Sequence, residues 1–478
     1  MGIISAIVDV FNAIGNFLWG PWTQIFLICT GLYLMFGTRF FVFRKFGTLM
    51  KETMGQMFRK QETDTKGLTS VQAVFSALAG TIGMGNIAGT ASAIAVGGPG
   101  AVFWMWLIAF LGMTVKTSEV TLAVHYRDVD TDGNIHGGPM YYMRKALNAK
   151  PIAVIFSIGI FFNALLMADV MQLHTISDTT LAAYGWNPYI VVGVMIVLML
   201  LACLGGLKSV GKVCGTLVPI MTILWIGIAI LAIVLNIGEI PRAFGEIFKG
   251  AFSGTAATGG FAGSTIALAI QQGAARGTGS NDAGLGVAPI IHATADTDHP
   301  FKQGMWGAAE VFIDTIIVCT MTALLIILPE GVWNSGETGS ALSLKGLQAV
   351  LPLHVANVVM IIALAAFCFS TTLVFYVYFE TATINLFGKN SFKYVKWLYF
   401  IMPLVFAGYT DVDKLWGGLA NTATGLCLLP NLVVLVMLAP VFFKLLKDWE
   451  SGENKYATKI TDGNIDHYVK LSPKYKEK

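Results

Sequence analysis

The sequence predicts an all-α polytopic membrane protein, and composition is the first reason. Of its 478 residues, 55% are hydrophobic and only 12% are charged, and the mean hydropathy is +0.67. Soluble domains carry about 25% charged residues, so water cannot be the main solvent of this chain. A bilayer core of about 30 Å needs about 20 apolar residues per helix. Eleven stretches meet this need, near 16–38, 68–95, 99–125, 151–176, 188–206, 213–237, 262–290, 303–328, 353–384, 395–410 and 415–443.

Basic residues are concentrated in alternate loops between these predicted helices. Of the 31 lysines and arginines, 25 lie in loops 39–67, 126–150, 207–212, 291–302 and 385–396 and in the tail after 443. The opposite loops hold four: Arg242, Lys249, Lys345 and Lys414. Because basic residues in short loops stay in the cytoplasm, we expect a multi-pass protein of the plasma (inner) membrane, with the N-terminus outside and the C-terminus cytoplasmic. The net charge of +3 then reflects topology and indicates no nucleic-acid partner.

Two of the apolar segments have glycines clustered at mid-membrane. The second segment contains Gly83-x-Gly85-Asn86, and the seventh contains Gly277-x-Gly279-x-Asn281. Each glycine costs a helix about 1 kcal/mol, so such a cluster favours unwinding of the backbone. Unwound backbone in a membrane is tolerated where protein, water or a ligand satisfies its polar groups. The clusters therefore predict two broken helices around a binding site, although close helix packing through small residues would produce the same pattern.

The positions of the two clusters predict an inverted repeat. Five helices separate their starts, and from the predicted orientation the two segments cross the membrane in opposite directions. Such five-plus-five repeats are typical of secondary transporters. We expect repeats at 68–237 and 262–443 within a transporter core at 68–443, one extra N-terminal transmembrane helix and basic loop at 1–67, and a cytoplasmic tail at 444–478.

The run after the first cluster carries a family resemblance. It reads Gly97-Gly98-Pro99-Gly100-Ala101-Val102-Phe103-Trp104-Met105-Trp106, with Gly137-Gly138-Pro139-Met140-Tyr141-Tyr142 downstream. These motifs resemble the alanine or glycine:cation symporter family, whose members are sodium–alanine symporters. The resemblance implies a leucine-transporter-like fold and sodium-coupled symport of small neutral amino acids, alanine and glycine, into the cell by alternating access.

The resemblance also implies where the substrate binds. In this fold, amides of the first broken helix hold the carboxylate of the amino acid, because helix N-termini attract anions. Thr81 and Gly85 are the matching positions here. The ammonium group would face carbonyls of the second break, around Gln272, Gly273 and Ala274. The remaining substrate candidates are Gln172, Gln271, Gln272, Gly273, Ala274 and Gly277.

A sodium site follows from the same resemblance. Sodium binds oxygen ligands, and unwound carbonyls with hydroxyls provide them. The carbonyls of Ala79 and Ile82 would join a hydroxyl from the ninth segment, where Ser370, Thr371 and Thr372 are consecutive. These hydroxyls could instead bond back to their own helix. Asn86 is a candidate for a second ion.

Several charged residues lie within the predicted helices. They are Lys116, Glu119, Arg276, Asp282, Glu310 and Asp314. Intramembrane charges are costly and are usually functional. Two interpretations stay open: an ion-pair network that ties helices together, or direct gating. If the coupled ion were a proton, one of these carboxylates would carry it.

Other classes of protein are disfavoured, and no resident cofactor is expected. The run Gly206-Leu207-Lys208-Ser209-Val210-Gly211-Lys212 resembles a phosphate-binding loop, but Val213 replaces the required Ser or Thr. No His-Glu-x-x-His run is present, which argues against a zinc intramembrane protease. As a transporter, the protein is not expected to be an enzyme. None of the six cysteines forms a CxxC pair, so neither disulfides nor a zinc site are indicated. A channel remains the alternative transport class.

Overall fold

The computed structural model describes residues 10–15, 17–57, 63, 65–129, 133–252, 266–408 and 412–456, and most of them are helical. The α-helices are α1 (Pro21–Gly37), α2 (Phe41–Arg44), α3 (Phe46–Glu52), α4 (Ser70–Thr81), α5 (Thr90–Gly97), α6 (Gly100–His125), α7 (Pro139–Leu147), α8 (Lys150–Asn163), α9 (Met171–Tyr184), α10 (Pro188–Cys203), α11 (Gly206–Leu235), α12 (Ile240–Phe252), α13 (Ile266–Asn281), α14 (Ala288–His292), α15 (Pro300–Val311), α16 (Thr320–Ile327), α17 (Gly339–Gln348), α18 (Leu353–Phe387), α19 (Phe392–Phe406) and α20 (Val412–Ser451).

Among the described residues, the following shorter elements accompany these helices. Three π-helical segments continue α-helices at Gly85–Gly89, Ala164–Val170 and Phe312–Cys319, and 3₁₀ turns lie at Met54–Gln56, Ile237–Glu239 and Lys389–Ser391. Four two-residue strands are β1 (Leu68–Thr69), β2 (Asp128–Val129), β3 (Ile135–His136) and β4 (Ala295–Asp296). β1 pairs with β4 in parallel and β2 with β3 antiparallel. The end of the helix bundle that carries these strands is called the β end below.

Within the described residues, six helices are long and apolar enough to cross a membrane. They are Gly100–His125, Lys150–Tyr184, Gly206–Leu235, Pro300–Ile327, Leu353–Phe387 and Gly418–Ser451. A seventh candidate is the bent pair Ser70–Thr81 and Gly85–Gly97. Each predicted segment contains a helix, but α1, α10, α13 and α19 are shorter. The count of eleven spans, with an extra helix at the N-terminus, therefore stays a prediction.

The first broken helix lies where the glycines predict it. Thr69 and Gln72 form a reciprocal capping box that starts α4, which ends at Thr81. Ile82 then adopts an extended conformation, and the chain bends by 51° before the helix resumes. The prediction of a break at Gly83 and Gly85 is thus confirmed by the backbone.

The second break lies further along the chain than expected. α13 continues without interruption to Asn281, and the reversal occurs at Asp282, Gly284 and Gly286, whose φ values are +54°, +90° and +77°. Pro289 then opens α14 in its first turn, where a missing N–H costs nothing. The expectation of unwound backbone around Gln272, Gly273 and Ala274 is wrong, because these residues are helical.

Two predicted boundaries also change. The predicted loop 207–212 belongs to the first turns of α11, so the break between α10 and α11 is only two residues long. The boundary between core and tail at 443 falls inside α20, which extends to Ser451. Residues 457–478 of the predicted tail lie outside the described residues.

Candidate functional site

The side chain of Thr371 on α18 meets the first helix break. Its hydroxyl lies 2.9 Å from the carbonyl oxygen of Ala79 and 3.4 Å from that of Ile82. The carbonyl of Phe367, one turn earlier in α18, is 3.0 Å away. If the hydroxyl donates its proton to Phe367, its lone pairs are available to a cation beside the Ala79 and Ile82 carbonyls. The predicted set Ala79, Ile82 and Thr371 is therefore assembled.

The two neighbouring hydroxyls point elsewhere. Ser370 donates to the carbonyl of Phe367 at 2.9 Å and lies near the sulfur of Met221 on α11. Thr372 donates to the carbonyl of Phe369 at 2.9 Å. Successive residues on a helix diverge by about 100°, so three consecutive hydroxyls cannot share one site. The structure contradicts the placement of Ser370 and Thr372 beside the break and supports Thr371.

Gln172 on α9 reaches the same break. Its Oε1 accepts a hydrogen bond of 3.1 Å from the N–H of Met84, one of the first amides of the resumed helix. These first amides have no partner inside their own helix. A Cβ built on Gly83 would lie 2.7 Å from the Thr371 hydroxyl and 3.2 Å from Gln172 Nε2, so only glycine fits there.

Asn86 joins both broken helices to the α15–α16 helix. Its Oδ1 accepts from the N–H of Gly83 at 2.9 Å, and its Nδ2 donates to Asp314 Oδ1 at 2.6 Å and to Ser280 Oγ at 3.0 Å. The hydroxyls of Ser280 and Thr315 both donate to Asp314 Oδ2, at 2.7 and 2.8 Å. All four side chains are at most 1% exposed. A buried carboxylate is thus surrounded by neutral polar groups without an adjacent basic side chain among the described residues.

The space between the two broken helices is lined by glycine. A Cβ on Gly85 would lie 3.7 Å from the carbonyl oxygen of Gly279, and nothing lies within 4 Å of a Cβ on Gly279 or Gly89. Gly279 is exposed and Gly85 is half-buried, whereas every residue from Ser280 to Ala295 is buried. The space beside Gly85, Gly89 and Gly279, called the chamber below, is therefore open at these glycines and bounded by the buried residues 280–295.

The glycines predicted to bind substrate through an unwound backbone instead pack against α6. A Cβ on Gly273 would lie 2.5 Å from the carbonyl oxygen of Ala101, and a Cβ on Gly277 would lie 3.4 Å from the Cα of Met105. This is close packing through small residues, the alternative that the sequence had left open. Ala274 is buried in the same helix.

The remaining substrate candidates, Gln271, Gln272 and Thr81, lie in different parts of the structure. Gln271 is exposed and Gln272 lies against Gly97 at the far end of α5, so neither is at the break. Thr81 ends α4, but its hydroxyl is 3.4 and 3.5 Å from the carbonyls of Leu78 and Ala77. The Thr81 hydroxyl is therefore turned toward its own helix and not into the chamber.

The intramembrane charges form contacts between helices. Lys116 Nζ lies 3.5 Å from Glu310 Oε1, and His292 Nε2 lies 2.9 Å from Glu310 Oε2. Glu119 accepts from Asn431 Nδ2, which also donates to the Gly284 carbonyl at 2.8 Å. These contacts favour the ion-pair network over the gating interpretation. Arg276 lies on the exposed face of α13.

Sequence reasoning missed Ser280, Thr315, His292 and Asn431. Asn431 is a buried amide in the otherwise apolar middle of α20, and such a residue is a detectable signal in a membrane helix. Ser280 lies inside the glycine run that the sequence had marked, but its neighbours gave no means to tell which face of α13 meets Asn86.

Several known proteins have sequences similar to this chain. The model of the sodium:alanine symporter family matches residues 4–462. The chain is 35% identical to the sodium/alanine symporter AgcS of Methanococcus maripaludis, over 91% of this chain and 95% of that protein. It is 34% identical to the probable sodium/glutamine symporter GlnT of Bacillus subtilis, over 94% and 91%. Uncharacterised relatives include the transporter YflA of Bacillus subtilis, 36% identical over 94% of both chains.

A solved structure supports the fold. The protein MhsT, solved in complex with L-phenylalanine, aligns with a TM-score of 0.53 at 13% identity, over 86% of this chain and 97% of that one. The predicted leucine-transporter-like fold is confirmed by this likeness. Together with the apolar helices, the family match identifies a multi-pass membrane transporter. The chain belongs to the sodium:alanine symporter family.

Proposed function

We propose that this protein is a secondary active transporter that carries small neutral amino acids, alanine and glycine, into the cell together with sodium by alternating access. The observation that carries the proposal is the approach of the Thr371 hydroxyl to the carbonyls of Ala79 and Ile82. These three oxygens are neutral, hard ligands, which suits a monovalent cation better than a divalent metal or a proton. The sodium ion is cargo and not a resident cofactor.

The substrate site is proposed at the chamber between the two breaks. The amide of Gly85 lies in the first turn of a helix, where N–H groups and the helix dipole favour a carboxylate. The lining by Gly85, Gly89 and Gly279 leaves room for a small side chain. Gln172 caps the neighbouring amide and is a second candidate contact, whereas the carbonyls of Gln272, Gly273 and Ala274 are occupied by their own helix.

A second cation is proposed at Asp314. Its carboxylate accepts hydrogen bonds from Asn86, Ser280 and Thr315, and a cation beside it would balance a buried charge. The carboxylate and the Ser280 hydroxyl would be the ligands, whereas Asn86 directs its amide nitrogen to the carboxylate and its side-chain oxygen to the Gly83 N–H. The same carboxylate is the place where a proton would bind if coupling were to protons.

The β end is proposed to face the cytoplasm. The loops that meet there belong to the set that holds 25 of the 31 basic residues. The N-terminus would then lie outside and the C-terminus in the cytoplasm of a plasma (inner) membrane protein.

Uptake into proteoliposomes tests the proposal. Labelled alanine should accumulate above its external concentration when an inward sodium gradient is imposed, and an equal proton gradient should give no accumulation. Glycine should compete, and glutamine serves as a larger competitor. Accumulation driven only by the proton gradient would favour the proton-coupled alternative, and entry that never exceeds equilibrium would indicate a channel. Either result would overturn sodium symport.

A further inference from the structure

Asp169 is a buried carboxyl group that the proposed transport mechanism does not use. It lies in the π-helical segment Ala164–Val170, between α8 and α9, and it is 0% exposed. Among the described residues, neither of its carboxyl oxygens has a hydrogen-bond partner, from a basic side chain or from any other group. Glu119, Glu310 and Asp314 differ in this respect, because each of them has a polar partner. A negative charge on Asp169 would therefore be uncompensated.

The surroundings of Asp169 contain phenol and thiol groups. The π-helical segment packs against α18 and α19. Tyr399 on α19 and Cys203 on α10 are both within electrostatic reach of Asp169, and Tyr376 on α18 lies beside these two groups. The Tyr399 hydroxyl donates to the carbonyl of Thr372 at 2.8 Å, so its proton is already used. Phenols and thiols carry no positive charge, so none of these groups can balance a carboxylate at Asp169.

A proton is the ligand that suits this position. Burying an unpaired carboxylate costs far more than burying the neutral acid, so a carboxyl group in such a place binds a proton instead. A metal ion would need several oxygen ligands, and none of the described residues brings a second oxygen into hydrogen-bonding contact with Asp169. Acidic residues inside membranes are usually functional, and π-helical segments are found frequently at functional sites. Both observations favour a use for the Asp169 proton.

Titratable groups connect Asp169 to one end of α18. Cys203 interacts electrostatically with both Asp169 and Glu380, and Glu380 interacts in turn with Lys396. Glu380 is half-buried and lies two turns before the end of α18 at Phe387. Lys396 belongs to the predicted loop 385–396, which is proposed to be cytoplasmic. Glu380 is therefore placed between the buried carboxyl group and the cytoplasmic surface.

We infer that Asp169 is a proton-binding site that holds a proton in the described conformation and exchanges it with the cytoplasm by way of Glu380. The proton bonds to one carboxyl oxygen and leaves to water at the cytoplasmic surface, so no other reactant is needed. Since exchange occurs on one side only, the site regulates the transporter and carries no proton across the membrane. Loss of the proton leaves an unpaired charge that destabilises this conformation, so an alkaline cytoplasm should slow uptake. The inference goes beyond the proposed function and uses its assignment of the cytoplasmic side.

Infrared spectroscopy tests the site without transport, because a neutral carboxyl group and a carboxylate absorb at different frequencies. Spectra at mildly acidic and at alkaline pH are subtracted for the unaltered protein, for Asp169→Asn and for Asp178→Asn. Asp178 is an exposed aspartate on α9 and gives the matched control. Raising the pH should remove a neutral-acid band in the unaltered protein and in Asp178→Asn, and this change should be missing in Asp169→Asn. If Asp169→Asn and the unaltered protein gave the same difference spectrum, the inference would be overturned.

Sodium-driven alanine uptake into right-side-out membrane vesicles tests the consequence for transport. The pH inside the vesicles is raised from mildly acidic to alkaline while the external pH is held constant. Uptake should fall at least fivefold in the unaltered protein and in Asp178→Asn, and less than twofold in Asp169→Asn. Raising the external pH instead should give no difference between Asp169→Asn and the unaltered protein. Equal responses of these two proteins to the internal pH, or different responses to the external pH, would contradict a proton site that opens to the cytoplasm.

Glu380→Gln tests the route of the proton. Glutamine keeps the shape of the side chain but does not take up and release a proton at these pH values. After a rapid rise in pH, the infrared change at Asp169 should therefore be at least tenfold slower than in the unaltered protein, with the same final amplitude. An unchanged rate would show that the proton does not pass Glu380. If the vesicles take up no alanine at all, the proposed function fails, and the infrared measurements still decide whether Asp169 binds an exchangeable proton.

Discussion

The side-chain amide of Asn86 lies 2.6 Å from the carboxylate of Asp314 and donates a hydrogen bond to it. Both residues lie in π-helical segments, Gly85–Gly89 and Phe312–Cys319. Such segments are rare and are found frequently at functional sites. Ser280, from the last turn of α13, donates to the same carboxylate. This contact therefore brings together the first broken helix, the second broken helix and the helix that follows it.

The first prediction concerns the charge of Asp314. Asp314→Asn keeps the shape of the side chain but removes the negative charge that would balance a cation, so we expect the sodium concentration for half-maximal alanine uptake to rise at least tenfold. Thr315→Val, which removes one hydrogen bond to the same carboxylate, should have a smaller effect. Unchanged sodium dependence in well-folded Asp314→Asn protein would rule out a cation at this position.

The second prediction separates glycines that pack from the glycine that lines the chamber. Gly273→Ala places a methyl group 2.5 Å from the Ala101 carbonyl, and such overpacking costs about 1–3 kcal/mol. The thermal stability of the Gly273→Ala variant in detergent should therefore fall. In Gly279→Ala the added methyl group has no atom within 4 Å, so the thermal stability of this variant should be unchanged. Its affinity for alanine should fall, because the methyl group occupies the chamber. Equal stability of the two variants would contradict this assignment.

The third prediction concerns the buried ion pair. Lys116→Met leaves the Glu310 carboxylate without its cation, 3.5 Å away in the native protein, and breaking a buried pair costs about 3–5 kcal/mol. Lys116→Met/Glu310→Gln removes both charges, and glutamine can still hydrogen-bond His292. We expect the melting temperature of the double variant to recover most of the loss. If the double variant were no more stable than Lys116→Met, a purely structural role of the Lys116–Glu310 pair would be excluded.

The fourth prediction concerns Thr81. Its hydroxyl is turned toward the carbonyls of its own helix, so Thr81→Val should change alanine affinity by less than about threefold, equivalent to less than about 0.7 kcal/mol. Equilibrium binding of labelled alanine measures this directly. A loss of tenfold or more, with normal expression, would show that the hydroxyl turns to the substrate on binding.

The first break could be predicted from sequence and the second could not, for a physical reason. Glycine both weakens a helix and lets helices approach closely, so a glycine cluster alone does not distinguish the two uses. Gly83 weakens its helix, because the chain unwinds there. Gly273 and Gly277 instead allow α13 to pack closely against α6. The informative signal for the second break was Gly284 and Gly286 followed by Pro289, which marks the start of a new helix.

The candidates for the sodium site show how far side-chain positions could be predicted from the sequence. The hydroxyl trio of α18 was recognisable as a run, but which of the three faces the break depends on the rotation of α18 against α4. Thr371 faces the break, and Ser370 and Thr372 do not. Likewise the charged residues Glu310 and Glu119 were recognisable, whereas their respective partners His292 and Asn431 depend on how α14 and α20 pack.

The sodium dependence of alanine binding in Thr371→Val tests the central claim most directly. Valine has the shape of threonine but lacks the oxygen that lies beside the Ala79 and Ile82 carbonyls. We predict that the sodium concentration for half-maximal alanine binding rises at least tenfold, about 1.4 kcal/mol, while Ser370→Ala, whose hydroxyl faces α11, leaves it unchanged. An unaltered sodium dependence in folded Thr371→Val protein would contradict the account.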